Sequence, residues 1–324
     1  MRVRRTTVQI GFTIGVVASI AVFLVAILVG TGILGVGRTV RNTDYRSAVG
    51  AQQPRRLVVS GGVELAYSDS GGNGPVLLCL PAIGHGARDF EDLSRRLSPQ
   101  YRVLALDFPG QGNSGSDTEP ASATRYTELL SQFIDKLNVN SVVLIGNSIG
   151  AATSIRYASL HPQRVKAIVL CDSGGLGKPN LIAKIFIGSF VQFFAAGRRG
   201  AFWFPWAFDR YYRHVLIMAP AHEERDRIIR SAYEIASPLE QAWRSFAKPE
   251  ENLLPLLPGI QCPVLLAWTK QDFVIPLKYA EPSFGLFRNH RLEIFEGGHA
   301  AFLEDPNRFE QCLREFLKNV EGRS

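Results

Sequence analysis

Two kinds of apolar run divide this chain. The first is long: from Val8 to Gly37 no charged residue occurs, and Ile14–Leu34 is almost wholly apolar. That meets the roughly 20 residues a helix needs to span a bilayer. A cleaved signal carries a shorter apolar stretch of about 7–15 residues and a small-residue cleavage site, whereas here Arg38 and Arg41 follow the run directly. The pattern predicts a single-pass membrane anchor over 1–37, with a removed signal as the competing reading. Arg2, Arg4 and Arg5 precede the span and Arg38, Arg41 and Arg46 follow it, so positive charge does not set its orientation. Residues 38–55 are polar, with Gly50, Gln52, Gln53 and Pro54, and read as a linker.

The runs that follow are short. Leu57–Ser60 and Val63–Ser68 flank Gly61-Gly62, the pattern of an antiparallel hairpin. Val76–Leu80, Val103–Asp107, Val142–Ile145, Ala167–Cys171, Val264–Trp268 and Leu292–Phe295 are continuous apolar runs, as expected of strands buried on both faces. Helical periodicity occupies Phe90–Leu97, Ala123–Leu137, Ala151–His161 and Phe309–Val320. Strands alternating with helices predict an α/β domain over 56–324. Its sheet is mainly parallel and eight-stranded, with helices on both faces. Between Cys171 and Pro263 the alternation fails. That stretch holds Leu181–Ala196 and a dense aromatic group: Phe202, Trp203, Phe204, Trp206, Phe208, Tyr211 and Tyr212. It predicts an inserted helical cap at about 175–255. Its aromatics either form the cap's own core, or line a hydrophobic substrate site or touch a bilayer.

Charge sharpens this picture. The formal net charge is +7, but residues 1–56 alone hold eight arginines against one acid, Asp44, so residues 57–324 are formally neutral. The basicity therefore suits a membrane surface, and no basic face for nucleic acid is implied. Cys79, Cys171, Cys262 and Cys312 show no metal-ligand spacing and read as buried thiols.

The chemistry gathers at strand ends. Gly146-Asn147-Ser148-Ile149-Gly150 follows a buried strand and opens a helix. A serine on such a sharp turn presents its hydroxyl at the carboxyl edge of the sheet, beside a helix N-terminus that favours anionic charge. An unaided hydroxyl is a poor nucleophile and needs a base, which in turn needs an orienting carboxylate. Asp272 follows the strand Val264–Trp268 and His299 follows Leu292–Phe295. Asp172, directly after Ala167–Cys171, is the competing acid; His85 is a site-lining candidate; Asp107 is expected to brace a turn beside the site; and Asp117 reads as a solvated loop residue.

On these residues the chain resembles the α/β-hydrolase superfamily from about residue 57 to 318. The segments that carry the likeness are Leu106–Ser114, the serine turn, Gln271-Asp272 and Gly298-His299. The resemblance implies an enzyme with Ser148 as nucleophile, His299 as base and Asp272 as orienting acid, and with no metal or organic cofactor. The anchor and aromatic cap resemble membrane-bound monoacylglycerol lipase-like members. Ser173–Gly177 resembles the meta-cleavage-product hydrolases, which cut C–C bonds. One departure stands out: members usually carry His-Gly after the third strand, where this chain has Pro81-Ala82. The oxyanion hole would then use the backbone N–H groups of Ile83 and Ile149. The expected activity is hydrolysis of a hydrophobic carboxylic ester, with acylglycerol-like esters among the candidates, through an acyl-enzyme. C–C bond hydrolysis and a non-catalytic binding protein of the same fold are the alternatives.

Overall fold

The computed structural model describes residues 56–177 and 180–322. The expected anchor over 1–37 and linker over 38–55 lie outside them. No helix of the described residues is long and apolar enough to cross a membrane.

The hairpin forms as the pattern requires. β1 (Arg56–Ser60) pairs antiparallel with β2 (Val63–Asp69), Ser60 facing Val63. The two residues between them, Gly61 and Gly62, have φ of 54° and 82°, the left-handed pair that matches the twist of a tight hairpin. β3 (Val76–Leu80), β4 (Arg102–Leu106), β5 (Val142–Asn147), β6 (Val165–Cys171), β7 (Val264–Thr269) and β8 (His290–Phe295) complete an eight-stranded sheet in the order β1-β2-β4-β3-β5-β6-β7-β8. Only β2 runs against its neighbours; the pairs from β4 to β8 are parallel. Every residue of β5 is buried, which explains its unbroken apolar run.

The helices follow from chain direction. α1 (Glu91–Leu97) joins β3 to β4, α2 (Ala123–Lys136) joins β4 to β5, and α3 (Ile149–Leu160) joins β5 to β6. The first crossover moves one way along the sheet and the next two move the other way. Right-handed crossovers therefore place α1 on the face opposite α2 and α3. The reversal opens a crevice at the carboxyl ends of β3 and β5, where open α/β sheets bind their ligands.

Between β6 and β7 lie α4 (Leu181–Arg198), α5 (Phe204–Val215), α6 (His222–Arg230) and α7 (Ala232–Ser245). Their core is aromatic: Phe190 stacks on Trp243 at 4.4 Å, and Phe193, Phe194, Phe204 and Phe208 are fully buried. Of the aromatics singled out in the sequence, Phe204, Phe208 and Tyr212 build this core, whereas Phe202 and Trp206 are exposed. α8 (Leu277–Ala280), α9 (Ala301–Glu304) and α10 (Pro306–Glu321) follow β7 and β8. The four cysteines are buried free thiols.

One expectation is corrected. Asp117 is not a solvated loop residue: its carboxylate accepts from Arg125 Nε at 2.8 Å and is largely buried. The charge of α2 pins the loop, a pairing across the helix start that periodicity does not reveal.

Candidate active site

The turn between β5 and α3 is held by two glycines for steric reasons. A Cβ on Gly146 would lie 2.4 Å from Gly150 O, and one on Gly150 would lie 2.3 Å from Leu80 O. The first contact lets strand and helix meet. The second presses the end of β3 against the start of α3. Between them Ser148 takes φ 55° and ψ −113°, a strained conformation for a residue with a side chain. Ser148 occupies the N-cap position of α3, yet its hydroxyl makes no capping bond. Serine at this position ordinarily accepts from the helix's free N–H groups. A plain capping serine therefore does not account for it. Three backbone bonds hold the strain: Ser148 N donates to Cys171 O, and Ser148 O accepts from Ala152 N and Gly174 N.

Asp272 and His299 meet beyond the ends of β7 and β8. Asp272 lies in the loop after β7, its Oδ1 accepting from Val274 N at 2.7 Å and Ile275 N at 3.0 Å. Its Oδ2 lies 2.8 Å from His299 Nδ1, and both side chains are buried. The carboxylate thereby sets the ring's tautomer, with Nδ1 carrying the proton and Nε2 left as acceptor. Burial by itself favours the neutral ring, but the charge and hydrogen bond of Asp272 outweigh it. With a smaller contribution from Glu304, the His299 pKa lies above its ordinary value.

Ser148 is tied to this pair through its neighbour. Asn147 Nδ2 donates to Cys171 O at 3.1 Å and to His299 O at 2.9 Å. A second clasp comes from Glu304, buried at the end of α9. Its Oε2 accepts from Gly298 N, His299 N and Ala300 N, and its Oε1 from Ile217 N and Met218 N. One carboxylate thus joins the histidine loop to the segment between α5 and α6. Neither Asn147 nor Glu304 stands out as a site residue in the sequence. The only signal for Glu304 is an acid ending the apolar stretch Ala300–Leu303.

Ile83 and Ile149 are buried on either side of the crevice. Ile149 is the first residue of α3, so its N–H has no acceptor within the helix. Ile83 follows Pro81-Ala82, whose strand end is the one packed on Gly150. Asp107 braces this loop, accepting from Ala87 N at 2.7 Å and Asn113 N at 3.0 Å. His85, the site-lining candidate, has its buried ring engaged with Asp89 and 5.9 Å from the Tyr212 ring of the cap. The other four histidines bond elsewhere: His161 to Ser131, His214 to Arg210 O, His222 to Ile217 O and His290 to Phe287 O.

The cap lies over this crevice. A Cβ on Gly84 would lie 3.3 Å from Ile235 and 3.5 Å from Leu239, both on α7. On the other flank Phe273, next to Asp272, lies 5.7 Å from Tyr211 of α5. Apolar and aromatic groups thus border both the Ile83 loop and the acid loop. Among the described residues, Asp172, Asp272 and His299 are the group with metal-ligand character, their ligand atoms within 4.8 Å of one another. Asp272 and His299 are bonded to each other, however, and any ion would have to break that bond.

Comparison with known proteins agrees with this architecture. A model of the alpha/beta hydrolase family matches residues 77–311. A 2-hydroxy-6-oxononadienedioate/2-hydroxy-6-oxononatrienedioate hydrolase of Paraburkholderia xenovorans is 27% identical over 277 residues, covering 79% of this chain and 91% of that protein. Among solved structures, a thermophilic esterase from Thermogutta terrifontis superposes with a TM-score of 0.69 at 20% identity, over 83% of this chain and 99% of the esterase. A bacterial membrane phospholipase A superposes with a TM-score of 0.70 at 24% identity, over 98% of this chain and 99% of that one.

Proposed function

The chain belongs to the alpha/beta hydrolase family, and on that premise we propose that it cleaves a hydrophobic carboxylic ester through an acyl-enzyme on Ser148. The observation that carries this reading is the buried Asp272–His299 hydrogen bond at 2.8 Å, joined through Asn147 to a strained serine that caps nothing. His299 Nε2 takes the Ser148 proton as Oγ attacks the ester carbon. Ile83 and Ile149 N–H groups stabilise the tetrahedral oxyanion, each worth about 2.7–4 kcal/mol. His299 then gives its proton to the departing alcohol. Water, activated by the same ring, adds to the acyl-enzyme and releases the acid. The aromatic and aliphatic residues bordering the crevice support an apolar acyl group.

The test is a serine-directed fluorophosphonate on the purified protein, together with a series of p-nitrophenyl esters of rising chain length. Labelling of wild type but not of Ser148→Ala, and faster turnover of longer acyl groups, are expected. Labelling of both proteins alike would sink the nucleophile, and a strong preference for acetyl esters would sink the apolar acyl site.

The likeness to the Paraburkholderia hydrolase favours one second reading, C–C hydrolysis of a vinylogous diketone by the same three residues. Turnover of a meta-cleavage product in preference to every ester would select it. We also propose that Ile14–Leu34 holds the domain at a bilayer, as the apolar run supports. Extraction of the full chain from membranes by alkaline carbonate would reject this.

A further inference from the structure

Beside the Asp272–His299 pair stands a third ionisable side chain that the reaction above does not use. Asp172 follows β6 at φ 45°, a left-handed conformation for a non-glycine residue, and is wholly buried. Its Oδ1 accepts from Thr269 N at 2.8 Å and lies 2.9 Å from Thr269 Oγ1. Among the described residues its Oδ2 meets no hydrogen-bond partner. The titratable groups around it are Asp272, His299 and the adjacent Cys171.

The hydrogens decide its charge state. Thr269 Oγ1 lies 3.0 Å from Gly298 O as well as 2.9 Å from Asp172 Oδ1, and a hydroxyl has a single hydrogen to donate. If Asp172 were ionised, both neighbours would be pure acceptors and one contact would go unmade. If Asp172 carries a proton on Oδ1, it donates to Thr269 Oγ1, which donates to Gly298 O, and both contacts are made. Placing the proton there also removes the charge from Oδ2, the oxygen that nothing solvates. A buried ionised oxygen without a donor is strongly disfavoured.

Asp272 differs in the relevant respect. Its charge receives Val274 N, Ile275 N and His299 Nδ1. Two buried carboxyls this close do not both ionise, and the better-solvated one keeps the charge. Burial first, and then the charge of Asp272, push the Asp172 carboxyl well above the usual carboxylate range, against the lowering influence of His299 and Thr269.

We propose that Asp172 is a proton-bearing reserve acid: it stays neutral while Asp272 is charged, and it takes over the negative charge facing His299 when Asp272 is neutralised. Asp172 is thus a positioning residue, acting through His299 and through the Thr269–Gly298 chain that leads to the histidine loop. The proposal rests on Ser148 and His299 acting as described above.

The experiment is a double-mutant cycle of Asp172→Asn and Asp272→Asn, read as kcat/KM on a short p-nitrophenyl ester at neutral pH, with Ser148→Ala as background. Infrared spectra of the same proteins are recorded in parallel. Asp172→Asn is expected to cost at least about tenfold more in the Asp272→Asn protein than in wild type. The double variant should approach the roughly 10⁴-fold loss of a base left without its carboxylate. A protonated-carboxyl band should be present at neutral pH in wild type and absent from Asp172→Asn. Additive costs in the cycle would overturn the reserve role, and absence of the band from wild type would overturn the proton. Absence of the band from wild type needs neither turnover nor a variant, so it still overturns the proton if Asp172→Asn does not fold. An esterase-inactive wild type whose band is lost in Asp172→Asn would separate failure of the ester reading from failure of this one.

Discussion

Asn147 Nδ2 donates to the backbone carbonyl of His299 at 2.9 Å, so the residue before the serine holds the histidine loop in place. The same amide donates to Cys171 O and thereby joins the ends of β5, β6 and β8. Asn147→Asp replaces the donor with an oxygen facing two carbonyls. We expect a destabilisation of about 1–3 kcal/mol, the cost of an unsatisfied buried polar contact, read from urea unfolding. A fall in kcat larger than any change in KM should accompany it. Unchanged stability would show that the loop is held by other means.

Glu304 is expected to be less dispensable than its position on a one-turn helix implies. Glu304→Ala strips five backbone N–H groups of their acceptor at once. A loss of about 3–5 kcal/mol follows, with the histidine loop and the segment after α5 losing hydrogen-exchange protection together. Glu304→Gln keeps an acceptor oxygen and should recover part of both. Loss of protection at only one of the two segments would contradict the clasp.

The pH dependence has opposite signs for rate and for stability. The base must be neutral to act, so kcat/KM is expected to rise with pH through a folded-state His299 pKa that lies above 6.5. A histidine whose pKa is raised on folding contributes stability in full below its unfolded value, and that contribution is lost as pH rises through the folded value. Between about 6.5 and the folded pKa, activity should therefore climb while the His299 share of stability declines. Asp272→Asn removes the largest raising influence and should move the acidic limb of the rate profile downward. An unmoved limb would mean that another group sets it.

Gly150 offers a steric test. Its Cβ would lie 2.3 Å from Leu80 O and 2.7 Å from Pro81 O, so Gly150→Ala must push the end of β3 away from the start of α3. Overpacking of this kind costs about 1–3 kcal/mol. It also widens the gap between the Ile83 and Ile149 N–H groups. We expect kcat to fall by about 10²-fold, the lower range for losing an oxyanion donor, with fluorophosphonate labelling slowed in proportion. A variant with normal kcat would remove Ile83 from the oxyanion hole.

Much of the fold was legible because burial on both faces writes itself as continuous apolar runs. β3, β5, β6 and β7 fall where those runs lie, and the hairpin follows from Gly61-Gly62. Ser148, Asp272 and His299 were legible because each lies within a few residues after such a run, and strand ends are where a parallel sheet converges. The helical insertion was legible as a failure of alternation.

Other features depend on which separate segments the fold brings together. Asp117 looks solvated until α2 places Arg125 against it. The contacts of His85 with Asp89 and with Tyr212 of the cap cannot be read from the chain. Asp172 and Asp272 are each a plausible acid in the sequence, since each follows a strand. Their hydrogen-bond partners separate them: three donors converge on Asp272, whereas one oxygen of Asp172 has none among the described residues. The order and type of elements, and the placing of Ser148, Asp272 and His299 beyond strand ends, can be read from the chain alone, because both depend on local periodicity. Which donors reach each acid, and what clasps the histidine loop, depend on tertiary contacts. Solvation of a buried group is set by neighbours distant in the chain, and no local pattern encodes them.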